Sequence, residues 1–367
     1  MKKVMMVCEA FGGGVFAYVS QLCNDMVDTY GVYLVYSVRP QTPQNYKELI
    51  DKRVHLVELK DFSNNSIFNI RNDMKIIKEL RKLLDTINPD IIHLHSSIAG
   101  GLGRIAFKNI TKSVVYTPHG YAHILMGKGL KSHFYKLSEK ILGRYQNVTT
   151  LTCCESEDIE AAKFTKKHSY IETGIQVEDF KSLTEKIFAR KNHKFTVYTL
   201  GRICKQKQPK LFNEIAKLVP EAQFVWIGNG ELDYELTSSN IKITGWKPRK
   251  EALAMAKGAD VFILCSLGEA IAMSLIENMY LKKLILVSNV MGNKSVIKNG
   301  INGYVCNKPS DYAMRIHNAM DEYPKQLTEN AYNDVINIYN TKSMKRKYID
   351  FYNSLIKNSE NINMYNN

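Results

Sequence analysis

Long apolar runs are missing from this chain: no stretch approaches the roughly 20 consecutive apolar residues that a membrane-crossing helix requires. The apolar run at residues 1–8 stops at Glu9 and leads into glycines, which predicts a first strand and no secretory leader. Cysteine is scarce, seven in 367 residues (Cys8, Cys23, Cys153, Cys154, Cys204, Cys265 and Cys306), an odd number without the paired spacing of metal or redox motifs. That usage argues against a disulfide scaffold and predicts a reducing cytoplasm, no structural zinc and no bound cofactor. A GxGxxG loop is also missing, which disfavours a nicotinamide or flavin dinucleotide. Acidic residues are in deficit, 36 against 50 Lys and Arg, so the net charge is +14. Such a charge fits nucleic acid, an anionic membrane or phosphorylated small molecules as partners.

What is present is alternation. Short β-rich runs at residues 4–8, 32–38, 54–59, 91–95, 114–118, 148–153 and 170–172 are mostly followed by helix-like segments. A second series occupies 195–200, 224–227, 241–244, 261–265, 284–287 and 304–306. This predicts an α/β protein of two doubly wound, Rossmann-like domains, each with a parallel sheet covered by helices and both opening on a central cleft. Residues 174–180 and the polar stretch 181–194 read as the linker. Residues 341–352 predict an amphipathic helix with Tyr348, Phe351, Tyr352 and Leu355 on one side. The polar tail 358–367 is expected to be loose.

Chemistry-bearing residues fall at predicted strand exits. Glu269 and Glu277 bracket a loop and the start of an apolar helix after the strand 261–265. Arg202 and Lys207 follow the strand 195–200; as a planar guanidinium and a mobile ammonium they suit a diphosphate, although a lone surface cation is ordinarily just solvated. Together the four suit a phosphorylated sugar, with cations for phosphates and carboxylates for hydroxyls. Gly228 and Gly230, and then Trp246 and Lys247 after Gly245, sit on loops at the same sheet end. Gly12, Gly13 and Gly14 precede a helix, where backbone amides and the helix dipole favour an anion, though a plain strand-to-helix turn fits equally. His93 and His95 share a strand face, but no further metal ligand accompanies them, so packed histidines are expected. His119, just before Gly120, is placed to reach a sugar hydroxyl or phosphate.

The order and spacing of these motifs, from Gly12–Gly14 through Ile92-His93-Leu94-His95, Pro118-His119-Gly120, Gly201-Arg202 with Lys207, Gly228-Asn229-Gly230 and Glu269 to Glu277, resemble family 4 of the retaining nucleotide-sugar glycosyltransferases, which have the GT-B fold. The resemblance spans nearly the whole chain. It implies an acceptor-binding domain at 1–180, a nucleotide-sugar domain at 195–340, and a C-terminal helix at 341–357 packing back on the first. It further implies that Arg202 and Lys207 hold the diphosphate, Glu277 the ribose and Glu269 the donor sugar. His119 would contact that sugar, amides around Ala272, Met273 and Ser274 would cradle the phosphates, and the Trp246–Lys247 loop would meet the base. A UDP-sugar is favoured, transferred without divalent metal to a lipid-linked saccharide in capsule or exopolysaccharide synthesis at the inner membrane face. Gln208, Ala270 and Ala272 stand where the family commonly has glycine, or at the last glycine or proline.

Other GT-B enzymes, an epimerase or a phosphorylase, would use the same cleft, but the chain is too short for a pyridoxal-dependent phosphorylase. A basic nucleic-acid-binding protein would explain the charge but not the Arg/Lys and Glu/Glu pairs, and no aromatic RNA-binding strand motif is present. The lysine-rich segment 127–142, with Lys128, Lys131, Lys136 and Lys140, fits either an anionic membrane surface or a core-packing helix with a solvated basic face.

Overall fold

The computed structural model describes residues 1–62, 69–125, 129–189 and 194–365. Two compact units result, one of Met1–Glu172 with Met344–Asn367, the other of Thr173–Ser343.

The first unit carries a seven-stranded parallel sheet: β1 (Lys3–Phe11), β2 (Gly31–Val38), β3 (His55–Glu58), β4 (Ile91–His95), β5 (Ser113–Thr117), β6 (Val148–Thr152) and β7 (His168–Tyr170). Their spatial order is β3-β2-β1-β4-β5-β6-β7. The second unit carries six: β8 (Thr196–Leu200), β9 (Gln223–Ile227), β10 (Ile241–Ile243), β11 (Val261–Leu264), β12 (Leu284–Ser288) and β13 (Tyr304–Cys306), ordered β10-β9-β8-β11-β12-β13. Both orders reverse direction once, between β1 and β4 and between β8 and β11. In doubly wound sheets, ligands bind beyond the strand carboxyl ends at that reversal.

Burial on both faces explains why these strands read as continuous apolar runs. Along β11, Phe262 and Leu264 enter one layer of core with Leu275, Ile276 and Met279, while Val261 and Ile263 enter the opposite layer with Phe212, Ile215 and Ile316. Period-two alternation thus feeds two hydrophobic layers from one strand.

Three expectations change. The supposed linker contains a helix, Val177–Glu185, and it belongs to the second unit. Val177, Phe180 and Leu183 pack at helical spacing on that unit's core, and Lys257 Nζ donates to the carbonyls of Thr184 and Ile187 at 2.9 and 2.8 Å, closing the helix end. The C-terminal helix runs from Thr341 to Tyr365, through most of the tail expected to be loose. It is tied down by Ser359 Oγ, which donates to Leu355 O at 3.0 Å and lies 2.9 Å from Ser113 Oγ. Strand β7 lies slightly ahead of the predicted 170–172.

That helix completes the first unit's interior. Tyr348 and Tyr352 are fully buried. Tyr348 Oη lies 2.5 Å from Tyr18 Oη, and Tyr352 Oη lies 2.6 Å from His93 Nδ1. Thr117 Oγ1 gives its proton to Leu151 O, so it accepts from His93 Nε2–H at 2.8 Å. The remaining ring nitrogen of His93 therefore accepts from Tyr352. These are the packed histidines that the sequence suggests, joined to the end of the chain.

Candidate active site

In the second unit, the loops that follow β8 and β11 flank the topological reversal, and hydrogen bonds zip them together. Leu267 N donates to Gln206 O at 2.8 Å, Gln206 Nε2 to Gly268 O at 3.0 Å, and Gln208 Nε2 to Cys265 O at 2.6 Å. Across this zipper Lys207 Nζ meets Glu269 Oε1 at 2.6 Å, and Ser266 Oγ donates to the same oxygen at 2.6 Å. Both ion-pair partners are largely shielded, with side chains 19% and 12% exposed, so the attraction is screened less than on an open surface. Arg202, two residues past β8, is exposed and forms no ion pair among the described residues. It is the uncommitted cation of the constellation.

Gln208 explains one departure from the family pattern. Its φ of +50° is a left-handed conformation that glycine adopts at little cost and other residues at about 1–2 kcal/mol. The side-chain hydrogen bond to Cys265 O offsets that strain while tying the two loops. Ala272, in contrast, has φ −77° and ψ 119°, which any residue adopts, so alanine is tolerated there.

The helix Met273–Tyr280 opens directly after the loop, with no side chain capping its first amides. Among the described residues nothing accepts from the amides of Met273 and Ser274, which lie at the positive end of the helix dipole. Glu277 lies one turn further and is held by Arg249 Nη2 at 2.7 Å; its carboxylate is 12% exposed, the guanidinium 58%. Arg249 opens the helix Arg249–Gly258 and also lies 5.8 Å from the Phe180 ring centroid.

Glycines set the close approaches around these loops. A Cβ on Gly228 would lie 2.1 Å from Gly201 O, and one on Gly230 2.1 Å from Ile203 O. Gly228 also bridges Gly245. Trp246, next in that loop, is 64% exposed, and Lys247 Nζ is 4.0 Å from Glu251. Gly292, after β12, has φ +83°, and a Cβ there would lie 2.0 Å from Ala270 O and 2.4 Å from Glu269 O.

The remaining predicted residues are in the first unit. Gly12 precedes the helix Gly13–Met26; Gly13 has φ +55°, and neither Gly13 nor Gly14 has an atom within 4 Å of an added Cβ, so the space beside them is open. His119 follows β5 with φ +54°. Its Nε2 is 3.0 Å from His95 Nδ1, its Nδ1 3.5 Å from Cys153 Sγ, and its ring packs edge-on to Tyr18 at 4.7 Å. Burial pushes its pKa down to about 3 and holds His93 and His95 well below their ordinary value, so all three are neutral at pH 7. Both ring nitrogens of His119 already have protein partners, so the sugar contact expected of it requires one to open. Glu157, which sequence reasoning missed, fixes this loop. Its buried carboxylate accepts from Gly120 N at 2.6 Å and Cys153 N at 3.0 Å, and burial raises its pKa to about 7.

Arg249, Ser266 and Gln206 were also missed. Ser266 stood three residues from Glu269 and could have been named as its donor; nothing in the sequence pairs Arg249 with Glu277.

Residues 12–179 match Glycosyltransferase Family 4, and residues 181–334 match Glycosyl transferases group 1. The chain is 31% identical over 316 residues to the UDP-Gal:alpha-D-GlcNAc-diphosphoundecaprenol alpha-1,3-galactosyltransferase of Escherichia coli, a match covering 78% of this chain and 81% of that protein. This chain belongs to glycosyltransferase family 4. It is also 23% identical to an uncharacterized 41.2 kDa protein in the cps region of Klebsiella pneumoniae, over 96% of this chain and 99% of that one. Among solved structures, Anabaena HepE in complex with UDP and glucose superposes with a TM-score of 0.74 at 14% identity, covering 96% of this chain and 100% of that one. The protein is a glycosyltransferase with the GT-B fold.

Proposed function

We propose that this glycosyltransferase moves a hexose from a UDP-sugar to a lipid-linked saccharide during synthesis of a cell-surface polysaccharide, with retention of anomeric configuration and without a divalent ion. The observation that carries the reading is the zipped pair of loops at the β8/β11 reversal, where Lys207 and Glu269 meet beside the open amides of Met273 and Ser274. Arg202, Lys207 and those amides supply positive charge for a departing diphosphate, which is the work a metal does in other transferases. In this reading Glu269 binds donor-sugar hydroxyls, Glu277 the ribose, and the loop of Trp246 and Lys247 the base. The E. coli relative's UDP-galactose donor and diphosphoundecaprenol acceptor, and the UDP held by HepE, support the substrate classes.

The acceptor oxygen bonds to the anomeric carbon on the face from which the diphosphate departs, as the bond to the β-phosphate oxygen breaks. The acceptor proton passes to that departing phosphate. No carboxylate of the protein acts as nucleophile, so Glu269 and Glu277 position and do not attack. This differs from glycosidases, where two carboxyl groups flank the scissile bond.

Thermal-shift titration with UDP-, GDP-, ADP- and dTDP-sugars in EDTA tests the donor, and the anomeric coupling constant of the product tests the stereochemistry. Stabilisation by a UDP-sugar in EDTA and an α-linked product from an α-donor are expected. Absence of any shift without metal, or an inverted product, would overturn the proposal.

A further inference from the structure

The helix Leu130–Leu142 leaves an apolar stripe exposed. Its inner face consists of Tyr135, Ser138, Glu139 and Leu142, with Glu139 and Leu142 buried. Glu139 is pinned by Arg104 Nη1 at 2.9 Å and Tyr116 Oη at 2.8 Å, and the Arg104 guanidinium stacks 4.1 Å from the Tyr116 ring. On the outer face Leu130, Phe134, Leu137 and Ile141 recur at spacings of four, three and four, which places them on one narrow stripe. They are 91%, 48%, 57% and 49% exposed. A core-packing helix would bury these residues, so that alternative fails.

The helix's own exposed Lys and Glu side chains are all lysines, with the Asp73 carboxylate facing them across the adjoining cavity. Lys131, Lys136 and Lys140 are exposed. Glu139, the helix's acidic residue, is turned inward and neutralised by Arg104, so it does not offset them. Ile105 on the neighbouring helix Ser97–Ala106, 40% exposed, extends the apolar surface across a cavity of about 210 Å³ that Phe134 and Leu102 also line. Lys128 lies outside the described residues and is not needed.

We infer that this face seats on an anionic lipid bilayer, with Leu130, Phe134, Leu137 and Ile141 in the interfacial layer and Lys131, Lys136 and Lys140 against headgroup phosphates. A stripe of large apolar side chains rimmed by lysines is the pattern of helices that lie in the membrane plane. Charge complementarity commits the partner: a protein groove would match the stripe equally, but three exposed lysines along one helix, against the single Asp73 carboxylate at the cavity, call for an anionic surface. The surface belongs to the first unit and the β8/β11 loops to the second, so the inference goes beyond the proposed reaction.

Sedimentation of the full chain with phosphatidylcholine vesicles, with and without phosphatidylglycerol, tests it. Wild type is expected to pellet with the anionic vesicles and stay soluble with the neutral ones. Each lysine near an anionic surface contributes about fivefold in partitioning, so Lys131→Gln/Lys136→Gln/Lys140→Gln together should weaken binding about a hundredfold. Phe134→Glu/Leu137→Glu should weaken it at least as much, through lost insertion of about tenfold or more per residue. All these positions are exposed, and a thermal melt confirms folding. UDP-sugar stabilisation should be equal in every variant; its loss in wild type would sink the proposed reaction and leave this surface untouched. Wild type that stays soluble with anionic vesicles, variants that pellet as wild type does, or a self-associated chain that Leu137→Glu dissociates without any vesicle binding would each overturn the inference.

Discussion

Gly292→Ala should disable the enzyme by displacing the loop that carries Glu269. Gly292 has φ +83° and ψ −58°, a conformation close to the γ-turn that costs an L-residue about 1–3 kcal/mol. Its added methyl would lie 2.0 Å from Ala270 O and 2.4 Å from Glu269 O, both backbone atoms that cannot swing aside. The Glu269–Ala270 segment must therefore retreat by about 1 Å or more to restore contact distance, carrying Glu269 from Lys207 and Ser266. A misplacement of that size costs about a hundredfold in rate where reactants depend on orientation. Gly300→Ala is the control: Gly300 also has positive φ, +76°, but nothing lies within 4 Å of its added Cβ. Steady-state kinetics and urea unfolding of both variants separate the two effects. Gly292→Ala should lose more stability than Gly300→Ala, because the clash adds to the strain, and kcat should fall only in Gly292→Ala. Equal kcat in the two variants would refute the reasoning that this glycine sets the position of the donor loop.

The two carboxylates should fail differently. Glu277→Gln removes a charged hydrogen-bond partner, worth about 1.5–3 kcal/mol, and should raise donor KM by about 10–100-fold at nearly constant kcat; Glu269→Gln leaves Lys207 without its counter-charge and should lower kcat without weakening UDP binding in calorimetry. Identical profiles would show that the roles are misassigned. The first unit should also be acid-sensitive: His119 is held at about 3, below its unfolded value of about 6.5, so its contribution is whole above 6.5 and declines by about 1.4 kcal/mol per pH unit as pH falls toward 3. Glu157, raised to about 7, acts with opposite sign between its ordinary 4.5 and 7, so the net decline should steepen below about 4.5. Urea midpoints measured from pH 7 to 4 should follow that curve, and a flat profile would exclude it.

The thirteen strands were legible because strands buried on both faces write themselves as short apolar runs, and strand exits are where glycines and charges cluster. Lys207 and Glu269 could be suspected of sharing a site from their places after β8 and β11, although 62 residues separate them. Local periodicity could not show that Arg249 claims Glu277, since that contact depends on how one helix start meets another. Nor could it orient the Leu130–Leu142 helix. Apolar residues lie on two sides of it, and the side that faces inward is the one where Glu139 meets Arg104 and Tyr116 and Leu142 is buried. The helix at 177–185 was hidden by its charges, because the inward positions Val177, Phe180 and Leu183 are few among polar neighbours.

The C-terminal helix gives the protein an order of manufacture. Its Tyr348 and Tyr352 are structural parts of the first unit, yet they are translated after the whole second unit. A nascent chain can close the second unit first, while His93 and Tyr18 still await their partners. A chain truncated before Met344 would carry an intact second unit attached to an unfinished first one, whose unfilled interior is open to proteolysis. The surroundings of His93 and Tyr18 are thus completed only after the second unit has been made.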